Sequence, residues 1–136
     1  MIIRVASAVL TLAGLLALVS GLLFWTGTAL SLMQLHMMLG FLAVGALWVI
    51  AIGQVFAKGG SWIIAAAAIV VGAATAVLGM TQASLMIGNF HWIIETLHLL
   101  LGLLTIGLGH MGWARHRRAM RSNGVSAFNS NTEPLD

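Results

Sequence analysis

Two segments of the chain, QLHMMLGFLAVG at residues 34–45 and TLHLLLGLLTIG at residues 96–107, carry the same pattern, Leu-His-x-x-Leu-Gly-x-x-x-x-Gly. Both segments lie in long stretches with very few polar residues. An ionisable side chain is costly to bury inside an apolar helix, so it usually has a functional role there. The repeated motif therefore indicates that the two histidines act together, and it predicts the fold around them.

The composition is that of a membrane protein. Of the 136 residues, 60% are hydrophobic and 7% are charged, and the mean hydropathy is +1.05. Soluble domains carry roughly 25% charged residues. The chain has no cysteine, which excludes disulfides, thiolate metal sites and cysteine-linked haem. Apolar runs of about 20 residues predict four transmembrane helices, at residues 5–25, 29–57, 62–80 and 90–114.

The chain is internally duplicated. Besides the histidine motif, TALSLM at residues 28–33 resembles TQASLM at residues 81–86. The first two helices thus correspond to the last two, and two such hairpins pack about an axis along the membrane normal. We expect an all-α, antiparallel four-helix bundle over residues 1–121. Bundles build cofactor sites on facing helices, and this symmetry brings His36 and His98 towards one centre.

The charges predict the orientation of the bundle. With four spans, all the basic residues fall on one side of the membrane: Arg4, Lys58, Arg115, Arg117, Arg118 and Arg121. The positive-inside rule then places both termini in the cytoplasm, as in a bacterial-type inner (plasma) membrane. The pI of 11.4 reflects this orientation, so we expect no nucleic-acid partner. Residues 122–136 are polar and aperiodic, which predicts a flexible cytoplasmic tail.

The two motif histidines are predicted to hold one b-type haem. His36 and His98 lie at similar depth, roughly 10 Å below the outer surface at 1.5 Å per residue. Non-covalent haem needs axial ligands and a dry slot, and neutral imidazole suits both requirements. His110 would need a partner for a second haem, but its equivalent in the first repeat is Trp48, which cannot ligate. We therefore expect one haem. A packing role for the two histidines is the alternative.

Glycines follow each histidine at fixed distances. Gly40 and Gly102 lie four residues after the histidines, on the same helix face, where they would leave room for a flat ligand. Gly45 and Gly107 lie nine residues after the histidines and are expected on nearly the same face. Small residues at these positions would also permit close helix packing.

The segment ETLHLLLG at residues 95–102 resembles the Glu-x-x-His-Arg-x-x-Gly stretch of the haem A synthase family. Paired histidines on alternate helices of a bundle also resemble membrane b-type cytochromes. That synthase family is a duplicated set of four-helix bundles with haem-ligating histidines, so the resemblance implies a bundle and a bis-histidine haem. Leu99 stands where that family carries arginine, and the chain amounts to one bundle, so the synthase chemistry is not carried over.

A second polar group precedes the second motif. His91, Glu95 and His98 are spaced four and three residues apart, so they share one helix face. Glu95 could orient a histidine ring as a hydrogen-bond acceptor. Alternatively, Glu95 and His91 could accept protons during the oxidation of a quinol, or all three could bind a metal opposite His36. The remaining interpretation is a glutamate hydrogen-bonded to His91 near the membrane surface.

The methionines suggest another cofactor. Five of them cluster towards the outer ends of the helices: Met33, Met37, Met38, Met80 and Met86. Thioether and imidazole ligands together suit Cu(I), so a copper-binding membrane protein is an alternative, although methionine is also an ordinary packing residue. Histidine can also ligate chlorophyll, and a purely structural subunit of a larger membrane complex stays open.

We expect the chain to transfer electrons, to or from a quinone, rather than to act as a stand-alone enzyme. Its predicted extramembrane parts are short and offer little surface for a soluble electron donor. Other membrane subunits or a second copy in a homodimer are therefore the expected protein partners, within the lipid bilayer.

Overall fold

The structure is a computed structural model that describes residues 1–57 and 60–132, with side chains described through Arg118. These residues form four long helices and two short 3-10 turns, and no strand. The helices are α1 (Ile2–Trp25), α2 (Met33–Phe56), α3 (Trp62–Thr81) and α4 (His91–Thr132), and the turns are Leu30–Leu32 and Gln82–Ser84. The prediction of an all-α protein built on four apolar helices is confirmed.

The outside of the bundle is apolar. Each helix is long and apolar enough to cross a membrane, and only 17–33% of the residues in its most apolar window are buried. Most of the large hydrophobic side chains therefore point outwards. Soluble monomers rarely expose contiguous apolar patches of this extent. The chain is thus a multi-pass membrane protein whose exterior faces lipid.

The arrangement of the helices is symmetric. Helix α1 packs against α2 and α4, α3 packs against the same two helices, and α2 also contacts α4. Exchanging the hairpin α1–α2 with the hairpin α3–α4 leaves this set of contacts unchanged. The internal duplication seen in the sequence is therefore also present in the packing.

One pair of contacts shows the symmetry at the level of residues. A Cβ added to Gly14 of α1 would lie 2.9 Å from Cγ1 of Ile106 in α4. A Cβ added to Gly72 of α3 would lie 3.2 Å from Cγ1 of Val44 in α2. The two glycines are 58 positions apart, and their partners are 62 positions apart. The same small-to-large contact therefore joins the repeats twice, as is typical of helix packing in membranes.

The half of the bundle that carries the chain terminus Met1 is closely packed. Leu10, Leu47 and Ile50 are each at most 1% exposed. The backbone of Gly109 lies against Leu10, and a Cβ on Gly112 would meet Ile50 at 2.8 Å. Side chains fill the interior of this half, and the cavity between the four helices lies in the other half, where the α1–α2 and α3–α4 connections are. We call that end the connection end.

The α1–α2 connection begins with a glycine turn. The amide of Gly27 donates to the Phe24 carbonyl and the amide of Thr28 to the Leu23 carbonyl, at 2.8 and 3.1 Å. This is the Schellman pattern, in which the residue after the helix cap has a left-handed conformation. Gly27 has φ +72°, which a glycine adopts without strain. The turn fixes the last residues of α1, including Phe24 and Trp25, at the connection end.

The end of α4 differs from the prediction, and two other predictions concern residues that the structure does not describe. Helix α4 was expected to end at residue 114, but it continues to Thr132, because the arginine, alanine and methionine residues after the apolar run favour helix. The backbone of residues 122–132 thus continues α4, and residues 133–136 lie outside the described residues, so the flexible tail stays a prediction. Lys58 also lies outside them, and the side of the membrane on which the termini lie stays a prediction.

Candidate functional site

The two motif histidines face each other inside the bundle. His36 projects from α2 and His98 from α4. Their ring centroids are 6.2 Å apart, and the ring planes are inclined at 59°. The symmetry of the repeats thus places two imidazoles on either side of one point between the hairpins.

Both rings line a cavity of about 170 Å³ at the connection end. Its walls come from all four helices and are mostly apolar. The polar side chains that line it are His36, Thr75, Gln82, Glu95, His98 and Thr105. An apolar cavity with a few convergent polar groups is the usual form of a ligand site.

Each histidine ring lies against a glycine of the preceding helix. A Cβ on Gly21 of α1 would lie 3.2 Å from Cε1 of His36. A Cβ on Gly79 of α3 would lie 2.9 Å from Cε1 of His98. A larger residue at either position would push the ring out of its place. These two glycines therefore help to determine where the imidazoles lie.

The sequence analysis missed this pair of glycines, although the sequence contains a signal for it. Gly14 and Gly21 in the first repeat, and Gly72 and Gly79 in the second, show the same seven-residue spacing and the same offset of 58 positions. Seven residues are two helical turns, so each pair lies on one face. That face is turned towards the helices that carry the histidines.

The glycines of the histidine motif fall into two classes. Gly40 and Gly102 line the cavity, and a Cβ added to either would meet no atom within 4 Å. Gly45 and Gly107 are exposed on the outside of the bundle. The expectation that they share the histidine face is wrong, because nine residues at 100° each rotate the helix by about 180°.

The His36 ring is held by α1. Its Nδ1 lies 3.0 Å from the carbonyl oxygen of Ala17 and 3.0 Å from Oγ of Ser20. A carbonyl oxygen can only accept, so Nδ1 carries the proton and Nε2 keeps its lone pair. The Ser20 hydroxyl is 2.9 Å from the Leu16 carbonyl, to which it donates. Phe24 meets the ring edge-on, with centroids 5.3 Å apart.

The His98 ring lacks the corresponding hydrogen bonds. Its Nδ1 is buried and has no hydrogen-bond partner among the described residues, which is uncommon for a buried nitrogen. Leu78 stands where the first repeat has Ser20. The Thr75 hydroxyl instead lies 3.0 Å from that of Thr105. The two histidines, which the sequence motif presents as equivalent, therefore differ in their support.

Glu95 and His91 lie one helical turn apart at the start of α4. Glu95 lines the cavity, whereas Nε2 of His91 lies 3.9 Å from the Glu95 carboxylate and Nδ1 of His91 lies 3.1 Å from the Leu85 carbonyl. Both side chains are about one-third exposed, at 33% and 35%. Through Arg118, the structure assembles no group of three such side chains that could hold a metal, so His91, Glu95 and His98 do not form the site considered above.

The methionines and the remaining histidines are dispersed. Of the five methionines near the connection end, Met37 and Met80 line the cavity. His110 lies 3.5 Å from the Thr11 hydroxyl, and His116 stacks on Trp113 with centroids 6.2 Å apart. Neither of these histidines lines the cavity.

Comparison with protein-family models, with characterised proteins and with solved structures gives no significant match. The histidine pair and its cavity are therefore the features of this chain that bear on its function.

Proposed function

We propose that the bundle binds one b-type haem between His36 and His98 and serves as an electron-transfer subunit in the membrane. The observation that carries the proposal is the separation of the two rings, 6.2 Å between centroids. With metal–nitrogen bonds of about 2 Å, two imidazoles on opposite sides of one metal have centroids roughly 6 Å apart. Two imidazoles that share one metal could adopt any angle between their ring planes, so the 59° seen here would be compatible with that role.

The mostly apolar lining of the cavity would suit a flat, largely apolar group held by the two imidazoles. The donor set is two imidazoles, and b-type haem is held by such ligands without a covalent link. Gly40 and Gly102 leave open space beside the rings, whereas Gly21 and Gly79 seat the rings closely. The apolar walls would keep water from the metal.

The residues of this chain would have distinct roles around the haem, which supplies reversible one-electron chemistry. His36 and His98 would ligate, and the Ala17 carbonyl would fix the tautomer of His36. A hydrogen bond from the far ring nitrogen orients a ligating histidine and raises its basicity.

A quinol is the proposed electron donor, and Glu95 is the proposed proton acceptor. Oxidation of a quinol releases its hydroxyl protons, and among the residues that the structure describes Glu95 is the only carboxylate that lines the cavity. His91, whose Nε2 lies 3.9 Å from the Glu95 carboxylate and whose side chain is one-third exposed, offers a route for the proton towards water. A Glu95→Gln variant should keep its haem content, but a soluble quinol should reduce that haem more slowly than in the wild type. Unchanged rates at all pH values would remove Glu95 from this role.

The proposed setting is a bacterial-type plasma membrane, with both termini in the cytoplasm. Helices α1 and α4 are antiparallel, so Arg4 and the arginines at 115, 117 and 118 lie at the same end of the bundle. This is the distribution that the positive-inside rule associates with the cytoplasmic face. The cavity would then open towards the outer side. Other membrane subunits or a second copy would supply the remaining electron-transfer partners.

Copper is the second candidate cofactor, because Met37 and Met80 line the same cavity as the two histidines. Two thioethers and two imidazoles would suit Cu(I). The two candidates are distinguished by metal analysis and haem extraction on the purified full-length chain. Stoichiometric iron with extractable haem b supports the first, and copper without haem supports the second. A colourless protein without either metal contradicts both.

A further inference from the structure

His36 and His98 occupy equivalent positions in a symmetric bundle, so a difference in their hydrogen bonds indicates a difference in their roles. The rings have the same motif, the same glycine seat and the same cavity. They differ in their hydrogen bonds: Nδ1 of His36 has two hydrogen-bond partners on α1, and Nδ1 of His98 has none. Leu78 stands where α1 has Ser20, which removes one of the two partners. The carbonyl equivalent to that of Ala17 belongs to Thr75, and it makes no hydrogen bond to His98.

The hydrogen bonds of His36 preorganise its ring for binding a metal. They fix the Nδ1–H tautomer, so the Nε2 lone pair is always available to a ligand. They also hold the ring in one orientation, so little conformational freedom is lost when a metal binds. An outer partner of this kind typically contributes about 10–100-fold to metal affinity.

The His98 ring is not preorganised in this way, because its Nδ1 has no hydrogen-bond partner among the described residues. No group fixes which of its nitrogens carries the proton, and in the Nε2–H tautomer the ring cannot ligate on that side. Its buried Nδ1 also remains unpaired, which is a cost whenever the ring is held in this position. The open space beside Gly102 gives the ring somewhere to swing if it leaves the metal.

We infer that His36 is the permanent ligand and His98 an exchangeable one, so that a small neutral diatomic molecule can occupy the position that His98 vacates. The inference rests on the proposed haem. In the exchange, the bond between iron and Nε2 of His98 breaks and a bond between iron and the diatomic molecule forms. The lone pair returns to Nε2, and no electron or proton is transferred.

Carbon monoxide is the probe, added to the reduced, haem-loaded full-length chain in detergent. We expect it to bind the wild-type chain and to bind His98→Ala more tightly, with haem retained. His36→Ala should lose most of its haem. If wild type keeps haem but binds no carbon monoxide, or if both variants lose haem equally, the inference is wrong while the haem proposal stands.

A matched pair of variants tests the cause of the asymmetry. Ser20→Ala removes the hydroxyl next to His36, and Leu78→Ser supplies one at the equivalent position next to His98. We expect Ser20→Ala to weaken haem binding by about 10–100-fold and Leu78→Ser to lower the affinity for carbon monoxide by about tenfold or more. Thr81→Ala is the control, because that hydroxyl bonds only its own helix, at the Val77 carbonyl. No effect of Leu78→Ser would contradict the assigned cause.

A haem-free measurement separates the inference from the proposed function. Nitrogen NMR of the apoprotein should find His36 in the Nδ1–H tautomer alone and His98 in both tautomers. One shared tautomer pattern for the two rings would overturn the inference whatever the cofactor is. If the chain never binds haem, the proposed function fails and the exchange fails with it, even where the tautomers differ.

Discussion

At the scale of single residues, four glycines determine the shape of the site because they have no side chain. Gly21 and Gly79 let the two rings lie against the neighbouring helices, and Gly40 and Gly102 leave the space beside them open. None of these four glycines is needed for an unusual backbone conformation, because none has a positive φ. Their small size alone accounts for them, and this can be tested by filling the space.

A leucine side chain at position 40 should fill the cavity and prevent haem from binding, without unfolding the bundle. A Cβ at Gly40 meets no atom within 4 Å, and replacing a helical glycine removes a cost of up to about 1 kcal/mol. We therefore expect Gly40→Leu to fold as well as the wild type but to lose its haem. The measurement is haem per protein together with the unfolding midpoint in detergent.

Gly45→Leu is the matched control for this variant, because Gly45 lies on the same helix but faces outwards. It should keep both haem and stability. Equal haem content in Gly40→Leu and Gly45→Leu would mean that the cavity is not the ligand site.

At the scale of the helices, the apolar pattern predicts the elements well. The second and third predicted spans, residues 29–57 and 62–80, correspond closely to α2 and α3. The end of α4 could not be predicted from hydropathy, because beyond the membrane the helix depends on local propensity and no longer on apolar length. The motif likewise does not show on which side of the helix Gly45 and Gly107 lie, because that side depends on the rotation per residue.

The histidine pair itself could be predicted from the repeat, because equivalent positions that face inwards meet near the axis of a symmetric bundle, and a polar side chain in a membrane helix usually faces inwards. The hydrogen bonds that distinguish the rings could not. Whether Ser20 reaches His36 depends on how α1 is rotated against α2, and the motif does not specify this rotation. A difference between repeats at Leu78 is visible in the sequence, but its meaning requires the structure.

Alanine at position 72 should weaken the contact between the repeats. Its Cβ would lie 2.6 Å from Nε1 of Trp48 and 3.2 Å from Cγ1 of Val44, in a buried contact between α2 and α3. Overpacking of this kind typically costs about 1–3 kcal/mol. We expect Gly72→Ala to lower the free energy of unfolding in mixed micelles by that amount, whereas Gly107→Ala should not. A Gly72→Ala protein as stable as the wild type would contradict the tight packing described for this contact.

At the scale of the whole molecule, the bundle is polarised between a packed end and an open end. The arginines flank the packed end, and the cavity lies towards the other end, close to the two helix connections. If the positive-inside rule applies, a ligand would enter from the side opposite the cytoplasm.

Labelling of single cysteines tests this orientation in a chain that has no cysteine of its own. Ser84→Cys places a thiol in the exposed turn at the connection end, and Ile2→Cys places one at the other end, where the side chain is 74% exposed. An impermeant maleimide added to intact cells should label the first protein only. Labelling of Ile2→Cys before the cells are opened would reverse the orientation and place the cavity on the cytoplasmic side.

The most direct test of the central claim is the reduced-minus-oxidised visible spectrum of the purified full-length chain in detergent. Two imidazoles 6.2 Å apart, one on each side of a haem, predict the sharp α-band of a six-coordinate b-type cytochrome. The band should disappear when His36 and His98 are both replaced by alanine. A flat spectrum from a folded chain produced with ample haem, or a band that survives the double replacement, would contradict the account.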